Sequence, residues 1–144
     1  MMAKINNDLT ILLTTKGRHL HTLRWMWHAN RICLPFHIYI ADGEPNQDVV
    51  ALLENKDNFP NISYEHQLYE DLDFSCYYKK VENALSRVKT EFVMFSDNDD
   101  FLLPSGIEQS VTFLKYNSDH VGAFGRIGFL HLNETQTGGA RQLV

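Results

Sequence analysis

At 144 residues the chain is long enough for one domain with a real core and too short for two well-built ones. An apolar fraction of 44% beside 22% charged residues excludes a disordered or fibrous chain. A formal charge of -5 argues against nucleic acid or an anionic membrane as partner, and leaves a small anion in a local basic pocket as the phosphate ligand to expect.

The apolar pattern alternates between short strand-like runs and longer helical ones, the rhythm of an α/β fold. Leu9 to Thr15 is a β-branched, apolar run, broken by Lys16-Gly17-Arg18 and followed by Leu20, Leu23 and Trp27 at helical spacing. Phe36 to Ala41 is a second strand ending at Asp42-Gly43, after which Val49, Leu52 and Leu53 mark a short helix. Ile62 to His66 is a weaker third strand. The longest helix runs from Phe74 to about Val88, with Phe74, Tyr77, Val81, Leu85 and Val88 on one face and Lys80, Asn83 and Arg87 on another. Glu91 to Ser96 contains the unbroken apolar run Phe92-Val93-Met94-Phe95, which predicts a strand buried on both faces. Pro104 suits a helix entry, Ser105 with Glu108 fits a capping box, and Ile107, Val111 and Leu114 form the apolar face. A last strand is predicted over Val121 to Leu132.

Cys33 and Cys76 form no CxxC pair, so neither a disulfide framework nor a zinc site is indicated, and both read as buried thiols in a reducing compartment. The polar start, Met1 to Asp8, has no signal-peptide core, and no apolar run approaches a membrane span. A cytoplasmic protein with no transmembrane segment is the expectation. His19, His21 and His28 read as surface or satisfied core groups rather than ligands.

In open α/β sheets ligands bind outside the carboxyl ends of the strands. The distinctive residues fall there: Thr14, Thr15 and Lys16 after the first strand, Asp42 and Gly43 after the second, Asp97-Asn98-Asp99-Asp100 after the apolar run. Three carboxylates within four residues repel one another, and a hard divalent cation such as Mg2+ or Mn2+ relieves that repulsion while leaving positions open for phosphate oxygens. The bland reading is a solvated acidic turn capping the next helix; the place of the cluster after an apolar strand favours the site. A calcium loop fails, because Phe101 and Leu102 stand where a polar ligand and glycine are required. GxxxxGK[ST], GxSxG and HExxH are all absent.

The run Phe92-Val93-Met94-Phe95-Ser96-Asp97-Asn98-Asp99-Asp100-Phe101-Leu102-Leu103-Pro104 resembles the DxD segment of family 2 glycosyltransferases, which have the GT-A fold. Ile38 to Gly43 resembles that family's second strand, and Ile11 to Arg18 its first strand and following turn. The resemblance implies a Rossmann-like half domain over residues 1–144, with a mostly parallel sheet, helices on both faces and an acceptor half to follow. It implies that Asp99 and Asp97 hold Mn2+ or Mg2+, with Asp97 also at the ribose. It implies that Asp42, Thr14 and Thr15 line the base pocket, with Lys16 beside them, and that Lys80 lies near the diphosphate. The activity implied is metal-dependent, inverting transfer of a sugar from a nucleotide-sugar donor to a hydroxyl of a glycan or lipid-linked acceptor. Ala41, where the family has an aspartate, and Thr15-Lys16-Gly17 depart from the family pattern. Nucleotidyl transfer and a non-catalytic nucleotide-sugar module are the alternatives.

Overall fold

The computed structural model describes residues 5–125, 128, 132–134 and 141–143. The elements are β1 (Asn6–Thr15), α1 (His19–Arg31), β2 (Phe36–Asp42), α2 (Gln47–Glu54), a single 3-10 turn (Lys56–Asn58), β3 (Ser63–Leu68), α3 (Phe74–Arg87), β4 (Phe92–Ser96) and α4 (Pro104–Tyr116). Two further short strands, β5 (Leu132–Glu134) and β6 (Arg141–Leu143), pair antiparallel as a separate ribbon. Among the described residues no helix is long and apolar enough to cross a membrane.

The main sheet has the order β3-β2-β1-β4 with every neighbouring pair parallel. The α/β expectation of a parallel sheet flanked by helices on both faces therefore holds. Side chains alternate across the sheet. Leu9, Ile11, Leu13, Phe36, Ile38 and Ile40 pack on one face with Trp25, Met26 and Ala29 of α1, Val49 and Leu53 of α2, and Ile107 and Val111 of α4. On the other face Leu12, Tyr39 and Ala41 meet Ala84 of α3. β1 and β2 are buried on both sides, which is why their sequences are almost unbroken apolar runs. Truncating a fully buried member such as Ile38 to alanine would cost about 2–5 kcal/mol.

Several sequence expectations change. In α1 the buried residues are Thr22, Trp25, Met26 and Ala29, whereas Leu20 and Trp27 are exposed, so the helix is turned from the predicted face. In α3 the residues turned inward are Lys80 and Ala84, while Phe74, Tyr77 and Leu85 are exposed. β4 lies at the sheet's edge among the described residues, and Val93 and Phe95 are exposed on the face that holds α3 rather than buried.

Helix starts follow local chemistry. The Asn46 carboxamide accepts from the N–H groups of Asp48 and Val49, and the Asp73 carboxylate accepts from Cys76 N–H. The predicted Ser105–Glu108 capping box does not form, because α4 begins two residues earlier than that box requires, with Pro104 in its first turn and Leu103 as its uncapped lead-in. Cys33 and Cys76 are half-buried free thiols rather than core groups. The strand expected over Val121 to Leu132 is absent at 121–125 and 128; residues 126, 127 and 129–131 lie outside the described residues, and Leu132 opens β5.

Candidate functional site

The chain runs from β1 outward through β2 to β3, then α3 carries it back across the sheet to the far side of β1. The carboxyl ends of β2, β1 and β4 thus stand side by side around the point where strand order reverses, the usual place for a crevice in such sheets. Their loops form two polar clusters.

The first cluster lies over β2 and β3. Thr15 and Asp42 are register partners at the ends of β1 and β2. Asp42 is buried, with one carboxylate oxygen bound to His66 Nε2 at 3.1 Å and the other accepting from Glu44 N–H at 3.1 Å. Burial opposes ionisation of this carboxyl, but the hydrogen bonds from His66, Glu44 and the Thr15 hydroxyl prevail and hold it below the usual carboxylate range. The backbone carbonyl of Thr15 accepts from Gly43 N–H at 2.9 Å and from Lys80 Nζ at 3.0 Å. Lys80 also makes an ion pair with Asp71, and the two side chains are 1% and 4% exposed. The Lys80 charge is therefore spent inside the fold, tying the β3–α3 loop to the end of β1. Lys16, 47% exposed, lies 3.8 Å from the other oxygen of Asp71, so it is the lysine of this cluster that solvent can reach. Gly43 packs against Asp71 so closely that a methyl group in its place would overlap the Asp71 side chain.

Thr14 and Thr15 were expected to line one pocket, yet as consecutive strand residues they point to opposite faces. Thr15 is buried on the face of Asp42, whereas Thr14, half-buried, pairs in register with Ala41 on the α3 side.

The second cluster lies between β1 and β4. Asp97, Asp99 and Asp100 are exposed, while Asn98 between them is buried. The Asn98 amide donates to the Thr22 hydroxyl at 3.0 Å and to the Arg18 carbonyl at 3.4 Å, which pins the acidic loop against the first turn of α1. Phe101 continues the contact, its ring edge-on to His28 and under the Arg24 guanidinium. Burial and then the nearby Asp97 and Asp99 carboxylates push the Asp100 carboxyl above its usual range, so the three charges do share one electrostatic environment. Arg18 Nη1 donates to Asp99 Oδ2 at 2.7 Å, both side chains largely in solvent.

The carboxylates of this loop offer oxygen donors, the kind a hard divalent cation takes, and a cation, the Arg18 guanidinium, sits on Asp99. Among the described residues no three carboxylate, imidazole or thiolate side chains converge on one point. A metal here would take one or two protein ligands, Asp99 and Asp97, and complete its shell from phosphate and water.

The Lys16-Gly17-Arg18 loop joins the clusters, because Lys16 faces Asp71 and Arg18 faces Asp99. Gly17 (φ 60°) and Arg18 (φ 50°) are both left-handed, and this double turn sends the two side chains to opposite sides. Sequence reading overlooked Arg18, Asp71, His66, Thr22 and Asn98. Arg18, Asp71 and Asn98 were accessible to the rule that already singled out their neighbours, since each lies in a loop leaving the carboxyl end of a strand. Thr22 and His66 were not, as one is a helix residue and the other a strand residue with no local signature. No protein-family model matches the chain, and no curated protein matches it at a significant level.

Proposed function

We propose that the protein binds a nucleoside diphosphate sugar across the two strand-end clusters and, with Mn2+ or Mg2+ on Asp99 and Asp97, transfers the sugar to a hydroxyl of a glycan or lipid-linked acceptor with inversion. The observation that carries the reading is the bridging loop: one short turn after β1 stands between a buried, hydrogen-bonded Asp42 and an exposed acidic loop anchored by Asn98. A base would be recognised on one side and a diphosphate with its cation on the other. In this reading Asp42 and Thr15 meet the base, Lys16 and Arg18 offer positive charge to the phosphates, and Thr14 and Lys80 support the floor. The cation, when bound, supplies positive charge for the leaving diphosphate. The base that deprotonates the acceptor is not among the residues assigned here.

Titration calorimetry with UDP, GDP and ADP, each with and without Mn2+, tests the donor site. One nucleotide should bind preferentially, and Mn2+ should strengthen it. Equal, metal-independent binding of all three, or none, would overturn the reading.

A further inference from the structure

The two outer strands of the main sheet are finished differently. β3 is polar and carries Glu65 among Ser63, His66 and Gln67, as strands whose outer edge must stay unpaired usually do. β4, Phe92-Val93-Met94-Phe95-Ser96, has neither a charge nor a proline. One edge of β4 pairs with β1, and among the described residues no strand lies along the other. Phe92 and Met94 pack against the core, which leaves Val93 and Phe95, 39% and 50% exposed, on the α3 face. α3 supplies a wall beside them. Its Asn83 leans toward β3, where it accepts from the hydroxyl of Tyr69, the residue after that strand, at 2.9 Å. At about 3.6 residues per turn, Phe74, Tyr77, Tyr78 and Leu85 then fall on the other side of the helix, toward β4. All four are exposed, Phe74 by 83% and Tyr78 by 68%. A floor and a wall of large apolar side chains thus meet along an open, uncharged strand edge, the combination that marks a surface made to be covered.

We propose that this surface joins two copies of the chain, β4 of one pairing with β4 of the other about a two-fold axis normal to the sheet. The proposal does not depend on the donor reading. Such an axis makes the two strands antiparallel and keeps both α3 helices on one side. Val93 and Phe95 of each copy then meet those of the other, with an α3 wall on either flank. An antiparallel pairing also sets the two acidic runs, Asp97 to Asp100, at opposite ends of the joint, whereas a parallel one would bring like charges together. The patch is large enough for the purpose. At ~150–250 Å2 per aromatic side chain, the exposed parts of Phe74, Tyr77, Tyr78 and Phe95, with those of Leu85 and Val93, amount to at most roughly 1,000–1,400 Å2 over two copies. That is the lower end of what specific interfaces bury, and with the backbone hydrogen bonds of the open edge it suits a reversible dimer of about micromolar strength.

Sedimentation velocity of the full chain, over concentrations on either side of the micromolar, tests the proposal. The 16.7 kDa chain should pass reversibly to twice that mass. Amide hydrogen exchange in residues 92–96 should slow as the dimer forms. Val93→Lys and Phe95→Lys each bring like charges together across the axis and should weaken the dimer about tenfold or more. Leu85→Glu, on α3, should weaken it less, and Glu65→Lys, on the opposite edge strand, should leave it unchanged. All four positions are exposed, so the variants should keep the parent's fold, checked by circular dichroism. A chain that stays monomeric throughout overturns the proposal, and slow exchange in 92–96 of that monomer would assign the edge to another segment of the same chain. A dimer that survives both lysine variants, or that forms without slowing exchange in 92–96, is held elsewhere and overturns it as well.

Discussion

The two polar clusters at the carboxyl edge of the sheet use the same kinds of side chain to opposite ends. Over β2 and β3 the charges are buried and hydrogen-bonded: Asp42 with His66 and Glu44 N–H, Lys80 with Asp71 and the Thr15 carbonyl. Between β1 and β4 the carboxylates face solvent, and the buried polar groups are neutral, Asn98 and Thr22 among them. A buried charge must be paired to be tolerated, so the first cluster is a rigid support in which Lys80 and Asp71 are committed to each other and Asp42 is fixed in place by its partners. The second has been left adjustable, with its rigidity delegated to an amide.

The sharpest way to break this contrast is to remove one partner from the buried pair. Asp71→Ala should leave Lys80 uncompensated and lower stability to urea by about 3–5 kcal/mol. Combining Lys80→Met with Asp71→Leu should recover most of that loss, since a buried pair is commonly replaceable by apolar residues. A fall of less than about 1 kcal/mol in Asp71→Ala would place the pair in solvent.

Gly43→Ala probes the same support sterically. Its new methyl would press on the Asp71 side chain and should cost about 1–3 kcal/mol by overpacking, read as a lower thermal midpoint.

Asp42 gives the comparison a pH axis. Its carboxyl is held below the ordinary aspartate value of 3.8, so it contributes stability that is present above that value and lost as pH falls through the lower folded value. Asp42→Asn should be less stable than the parent at neutral pH, by about 1–3 kcal/mol. The variant should converge with the parent as the solution is acidified below pH 3.8, in urea titrations at a series of pH values. Parallel acid limbs would show that Asp42 is not the group responsible.

The smallest effect belongs to the exposed cluster. Asp99→Asn loses a surface ion pair and relieves repulsion with Asp97 and Asp100, so its metal-free stability should stay within about 0.5 kcal/mol of the parent. Any rise in melting temperature that Mn2+ with nucleotide gives the parent should be largely absent from this variant. A large metal-free loss with no metal effect in either protein would mean that the acidic loop is only a turn.

Most of the fold was legible because the core strands are long β-branched and apolar runs separated by helical spacing: Ile11, Leu13, Ile38 and Ile40 announce themselves. Helix faces were harder. In α3 the largest apolar residues, Phe74, Tyr77 and Leu85, are exposed, while a lysine points inward because Asp71 and the Thr15 carbonyl wait for it there. No local periodicity can reveal a partner nine residues upstream and a carbonyl 65 residues away. The same limit hid Asn98. In sequence it is the unassigned middle of an acidic motif, and its role depends on the Thr22 hydroxyl of a helix far back in the chain. The apolar run of β4 suggested double burial, but apolar sequence reports that a surface is fit to be covered, not what covers it.

Because α4 packs on the same face as α1 and α2, it constrains how the sheet can grow. β1, α1 and β2 form a crossover of one hand, moving from the centre of the sheet toward β3. A parallel strand laid beyond β4 directly after α4 would move in the opposite direction with its helix on the same face, and would therefore have the opposite hand. Parallel crossovers are right-handed in nearly every known case. Whatever extends this sheet past β4 must then run antiparallel, or come from a segment that has first passed to the α3 side. The placement of a single helix thus limits the routes by which a strand could be added beside β4.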